Sequence, residues 1–78
     1  MDVNIPAAKS YLVDAVDKDD KTVLSAAPVS VEWNEDQHGW VASSERLGSG
    51  RRAQIAEAAV QNLLAANGLS LRALRPAS

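Results

Sequence analysis

The chain has 78 residues, 46% of them apolar, and a formal net charge of −2. Alanine supplies 14 of the apolar positions, which leaves 22 larger apolar residues and no phenylalanine, enough for one modest core in one domain spanning residues 1–78. The lack of cysteine excludes a disulfide framework, a zinc finger and a thiol nucleophile, no apolar run approaches the roughly 20 residues of a membrane span, and the 23% of charged residues is too balanced for a disordered tail.

Residues 1–9 read as a loose lead-in, with Pro6 discouraging regular pairing. Met1-Asp2-Val3-Asn4 lacks the basic, apolar start of a signal peptide, so the expected location is cytoplasmic. Ser10 to Val16 fits two periods. Tyr11, Val13 and Ala15 alternate with Leu12, Asp14 and Val16, which suits a strand, while Ala8, Leu12, Ala15 and Val16 fit helical spacing. The β-branched valines and the polar run that follows favour the strand.

Asp17-Lys18-Asp19-Asp20-Lys21 predicts a hairpin turn in which aspartates bond their own backbone. It lacks the glycine and the distant bidentate glutamate of a calcium loop, so no metal is expected there. Thr22 to Trp33 is the second extended stretch, interrupted at Pro28, where a bulge or a sheet edge is expected. Val29, Val31 and Trp33 alternate with Ser30 and Glu32. The turn 34–39 follows, with Gly39 as the expected positive-φ residue. Trp40 to Leu47 reads as the third strand and Gly48-Ser49-Gly50 as its break. Trp33 and Trp40 flank the turn. They pair across the hairpin as core, or one faces outward as an interface anchor.

Arg51 to Asn67 predicts a helix, with Ala56, Ala59, Val60 and Leu63 on one face and Gln54, Glu57, Gln61 and Ala65 on the other. Ser49 is the candidate N-cap and Asn67-Gly68 the left-handed C-cap. Leu69 to Leu74 alternates again and reads as a short last strand, with a terminal coil as the alternative. The sum is an α+β fold in the order β-β-β-α-β, a three- to four-stranded antiparallel sheet with one helix on one face. The other face is left open for a partner or a second copy of the chain.

Charge divides along the chain. Residues 1–39 carry eight acids against three lysines, a net of −5, and residues 40–78 carry two acids against five arginines, a net of +3. Such a chain can present one acidic and one basic face. His38 is the single histidine, and no second segment supplies recognisable partners for it, so a solvated turn residue is the reading. No Gly-x-Ser-x-Gly elbow occurs, and Gly48-Ser49-Gly50-Arg51-Arg52 lacks the Gly-Lys-Ser/Thr ending of a phosphate loop. No catalytic residue and no cofactor is assigned. Arg51 and Arg52, at the expected helix start, are placed to meet an anion or an acidic partner, although they oppose the helix dipole.

The run Pro28-Val29-Ser30-Val31-Glu32-Trp33-Asn34-Glu35-Asp36-Gln37-His38-Gly39-Trp40-Val41-Ala42-Ser43 resembles the first hairpin of HicB-type antitoxins: an apolar strand, an acidic turn, then glycine, an aromatic, valine and a small residue. Leu47-Gly48 is similar to the Leu-Pro-Gly that follows in that family, without its proline. The likeness covers residues 28–67, and the first 27 residues have no counterpart. It implies a non-enzymatic, often oligomeric protein that occludes an RNase toxin. A second likeness is to the last helix of double-stranded-RNA-binding domains. It is carried by Gly50-Arg51-Arg52 and Ala58-Ala59, with two arginines where that family has a lysine triplet.

The leading expectation is therefore a non-enzymatic protein that blocks a protein or nucleoprotein complex, of antitoxin or phage anti-defence (anti-CRISPR-like) type. The anti-CRISPR form rests on analogy with a class of tiny, acidic, catalytically empty inhibitors. Asp17, Asp19, Asp20, Glu35 and Asp36 would meet a basic patch, with Trp40 or strand-edge backbone as the fixed contact. The alternative is a nucleic-acid-binding module using Arg51, Arg52, Arg72 and Arg75. A membrane is not an expected partner, and a homodimer is an expected form.

Overall fold

The computed structural model describes residues 7–77; the expected lead-in at 1–6 lies outside them. The elements are β1 (Lys9–Val16), β2 (Thr22–Asn34), β3 (Gly39–Ser44), β4 (Gly48–Ser49), α1 (Ala56–Ala66) and β5 (Ser70–Pro76). They form one antiparallel sheet in the order β4-β3-β2-β1-β5 with the helix on one face. The α+β class and the single helix are as expected. The sheet has five strands because β4, a two-residue strand, pairs with β3 where a break was anticipated, and β3 ends at Ser44 rather than at Leu47.

The pleat sorts side chains. Tyr11, Val13 and Ala15 of β1, Val29 and Val31 of β2 and Ala42 of β3 point to the helix and are buried against Ala59, Val60, Leu63 and Leu64. Each valine or leucine removed from water there contributes roughly 1.5–3 kcal/mol. Ser10, Leu12 and Asp14 of β1, Pro28, Ser30 and Glu32 of β2 and Val41 and Ser43 of β3 fall on the opposite, open face by the same alternation.

The alternation slips once. The β1–β2 register shifts around Ala15, so Ala15 and Val16 are both buried although adjacent. The irregularity was expected at Pro28 but centres on Ala26, whose φ of 50° is left-handed. The Asp14 carboxylate accepts the Ala26 N–H at 2.7 Å, replacing the ladder partner that the bulge removes.

The helix begins at Ala56, five residues later than Arg51. Residues 50–53 instead run along the edge of β3. Trp40 and Ala53 exchange both backbone hydrogen bonds at 2.8 Å, and the Gly50 N–H donates to the Ala42 carbonyl at 2.9 Å. Ser49, expected as N-cap, is thus a β4 residue, and the N-cap position falls on Ile55 with no side-chain hydrogen bond. The C-terminus is as anticipated. The N–H of Gly68 (φ 71°) donates to the Ala65 carbonyl and that of Leu69 to the Leu64 carbonyl, a complete Schellman ending.

Gly50 is where the strip and the helix meet. A Cβ there would sit 2.6 Å from Leu63 Cα and 2.8 Å from Leu63 N, both backbone atoms that cannot swing aside. Gly50→Ala is expected to destabilise the fold by about 1–3 kcal/mol, and urea unfolding of the two proteins measures it. An unchanged midpoint would mean that helix and strip do not pack this closely.

Candidate interaction surface

The β2–β3 turn builds one end of the molecule. The Asn34 side chain accepts the Gln37 N–H at 3.0 Å, closing the loop. Its left-handed residue is His38, φ 53°, and not Gly39 as expected. Gly39 is needed for a different reason: a Cβ would meet the Ala53 carbonyl oxygen at 3.0 Å and Arg52 Cδ at 3.1 Å. The aliphatic stem of Arg52 therefore lies against the turn, while Glu35, Asp36 and His38 are exposed.

Beside the turn, Trp33 and Trp40 are direct cross-strand partners. Their rings meet edge to face, 5.7 Å between centroids at 81°. Both are half-buried, on the helix side of the sheet and at its end, so the pair is partly core and partly surface. Lys9 Nζ stands 5.4 Å over the Trp40 ring. Ile55, two residues beyond the Ala53 bridge to Trp40, is 59% exposed. It occupies an N-cap, where Ser, Thr, Asp or Asn would satisfy an orphan helix N–H and isoleucine satisfies none.

The expected site residues divide accordingly. Glu35, Asp36, Trp40 and Arg52 come together at this end. Asp17, Asp19 and Asp20 do not join them. They sit at the other end of β2, whose 13 residues separate the two turns by about 40 Å. Asp17 is largely consumed by its own turn, accepting the N–H groups of Asp19 (2.9 Å) and Lys21 (3.0 Å). Asp20 lies 3.8 Å from Arg72 with both side chains exposed, a pair that salt screens readily. One compact acidic face is thus corrected to two separated acidic turns.

Arg51 and Arg52 also need correction. They precede the helix in an extended strip, their carbonyls accepting the Asn62 side-chain amide at 3.4 and 3.1 Å, so the anion-holding argument from a helix N-terminus does not apply to them. Nor do the four arginines form one basic surface. Arg51 and Arg52 flank β3, whereas Arg72 and Arg75 belong to β5 at the opposite edge, roughly 19 Å away across four strand spacings. Arg75 also lies 3.8 Å from the Asp14 carboxylate.

Two participants escaped sequence reading. Ile55 looked like an ordinary helical residue, and its exposure follows from the late helix start. Lys9 was assigned to the lead-in, but it pairs with Val31 as the first residue of β1.

Behind this end, Tyr11 is buried under the first helical turn. Burial, the negative charge of Glu57 and a hydrogen bond from the phenol to that carboxylate all raise its pKa above the ordinary 10.0. Comparison with protein families, with curated proteins and with solved structures finds no match for this chain. No helix among the described residues is long and apolar enough to cross a membrane.

The fold favours the neutral phenol, so its contribution to stability is complete below pH 10 and is lost as pH rises through the folded-state pKa. Tyr11 is the single tyrosine, so tyrosinate absorbance reports it alone. Titration is expected above pH 10 in the wild type and nearer pH 10 in Glu57→Gln, with burial keeping part of the shift. A wild-type midpoint at or below pH 10 would contradict the burial of the phenol.

Proposed function

We propose that this chain is a non-enzymatic binding protein that occludes a functional surface of a protein or nucleoprotein partner, of the antitoxin or phage anti-defence (anti-CRISPR-like) type. The observation that carries the reading is Ile55. A large apolar side chain is left in water at a position where it also fails to cap the helix, so it breaks two local rules at once. Contact with a partner supplies the compensating gain. The half-buried Trp33–Trp40 pair beside it has the composition of an interface anchor. Glu35 and Asp36 on the adjoining turn give this end the charge to meet a basic rim.

In this reading the partner lies against the β2–β3 end, with Trp40 and Ile55 at the centre and the acids at the periphery. The second acidic turn engages the same partner only if its basic surface extends about 40 Å, the length of β2. The seven-residue edge strand β5, paired only with β1 among the described residues, is the other place where backbone contacts are available.

The test uses the tagged full chain as bait in host lysate, with and without nuclease, alongside Ile55→Ser and Glu35→Gln/Asp36→Asn. A protein partner is expected to survive nuclease. Ile55→Ser is expected to raise stability by about 0.5–1 kcal/mol through the new cap while weakening capture. The double neutralisation should weaken capture most at low salt. Capture that disappears with nuclease, or that is indifferent to Ile55→Ser, would overturn this reading.

A further inference from the structure

The register aligns one residue type across the open face of the sheet. Ser10 of β1 pairs with Ser30 of β2, Ser30 with Ser43 of β3, and Ser43 with Ser49 of β4. Paired residues share a face, so four hydroxyls form a row about 14 Å long at strand spacing, on the side away from the helix. None of these four hydroxyls has a hydrogen-bond partner among the described residues.

Three properties of this face point to one occupant. Charge is sparse on it. The chain has 18 charged residues in all, from eight basic and ten acidic, yet the register places only Asp14, Glu32 and Arg75 there, and Asp14 lies 3.8 Å from Arg75. A second property is self-complementarity. A hydroxyl both donates and accepts, so a serine row matches an identical row, which an acidic or a basic row cannot do. The last is area. The folded chain exposes 5288 Å², against roughly 4600 Å² for a compact monomer of 8.3 kDa. The excess, about 700 Å², is close to the ~800 Å² that each partner contributes to a standard interface.

We infer that two copies of this chain associate face to face through the open side of the sheet, serine row against serine row, about a two-fold axis. Small side chains let the two sheets approach closely, and Leu12 and Val41, half-buried on the same face, supply the apolar contact. The helix, the tryptophan pair and Ile55 lie on the other side or at the end and stay free in the dimer. The inference therefore does not rest on the partner proposed above.

Sedimentation equilibrium of the full chain, over a concentration series, tests this. The wild type is expected as a dimer. Ser30→Arg, at the centre of the row, is expected to raise the dimer dissociation constant at least about tenfold by forcing an unpaired guanidinium into the contact. Circular dichroism should remain that of the wild type. Ser10→Arg, on another strand, repeats the test should Ser30→Arg fail to fold. Ile55→Ser should leave the dimer intact. A wild type that stays monomeric at millimolar concentration overturns the inference. So does a dimer that survives the arginine substitutions but is lost in Ile55→Ser, which would put the contact at the turn end instead.

Discussion

The structure depends on the contact between Gly50 and Leu63. An 11-residue helix is too short to hold itself in water, so it persists only where its apolar face is pressed onto the sheet. At Gly50 the backbone of the β3 edge strip runs directly against the backbone of the helix, with no side chain between them. Just beyond, the paired hydrogen bonds between Trp40 and Ala53 seal the strip to β3, and Asn62 ties the intervening carbonyls back to the helix. Strip, helix and β3 thus form a single joint. It decides where the helix starts, and hence that Ile55 is exposed, that Arg52 lies on Gly39 and that Trp40 is half-covered.

The same alternation that makes the core makes the open face. On β1 to β3 the helix side is valine, alanine, tyrosine and tryptophan, and the far side is serine with scattered apolar residues. Charge is displaced to the two ends and to the strand edges. Both ion pairs are long, 3.8 Å, and three of their four side chains are at least 56% exposed, so they add little to stability at physiological salt. Cohesion comes from the Leu24, Val60, Leu63 and Leu64 side of the sheet, in a chain small enough that one lost contact matters.

Local features were legible in the sequence and long-range ones were not. The hairpin at 17–21, the period-two runs around Val31 and Ala42, the tryptophan pairing, the Asn67-Gly68 ending and the last strand each follow from neighbouring residues, and the structure has them all. The helix start was misread because Arg51 to Ile55 has acceptable helical propensity and a compatible period. What overrides them is the demand of β3 for an edge partner, which no local window contains. Gly39 illustrates the same limit: a glycine after a turn suggests positive φ, whereas its real constraint is a carbonyl from residue 53. The acidic residues appeared to form one set because sequence distance hides the length of β2. The serine row was invisible for a similar reason, since its members are 10, 30, 43 and 49 and only the register unites them.

Backbone chemical shifts and amide exchange by NMR test the joint most directly. Arg51, Arg52 and Ala53 should show extended Cα shifts, with helical shifts starting at Ala56. The amides of Trp40 and Ala53 should exchange as slowly as those of Val31 and Ala42 in the sheet interior. Helical shifts from Arg51 onward, with a Trp40 amide that exchanges freely, would contradict the account. They would return the arginine pair to a helix N-terminus and leave Ile55 without its exposed position.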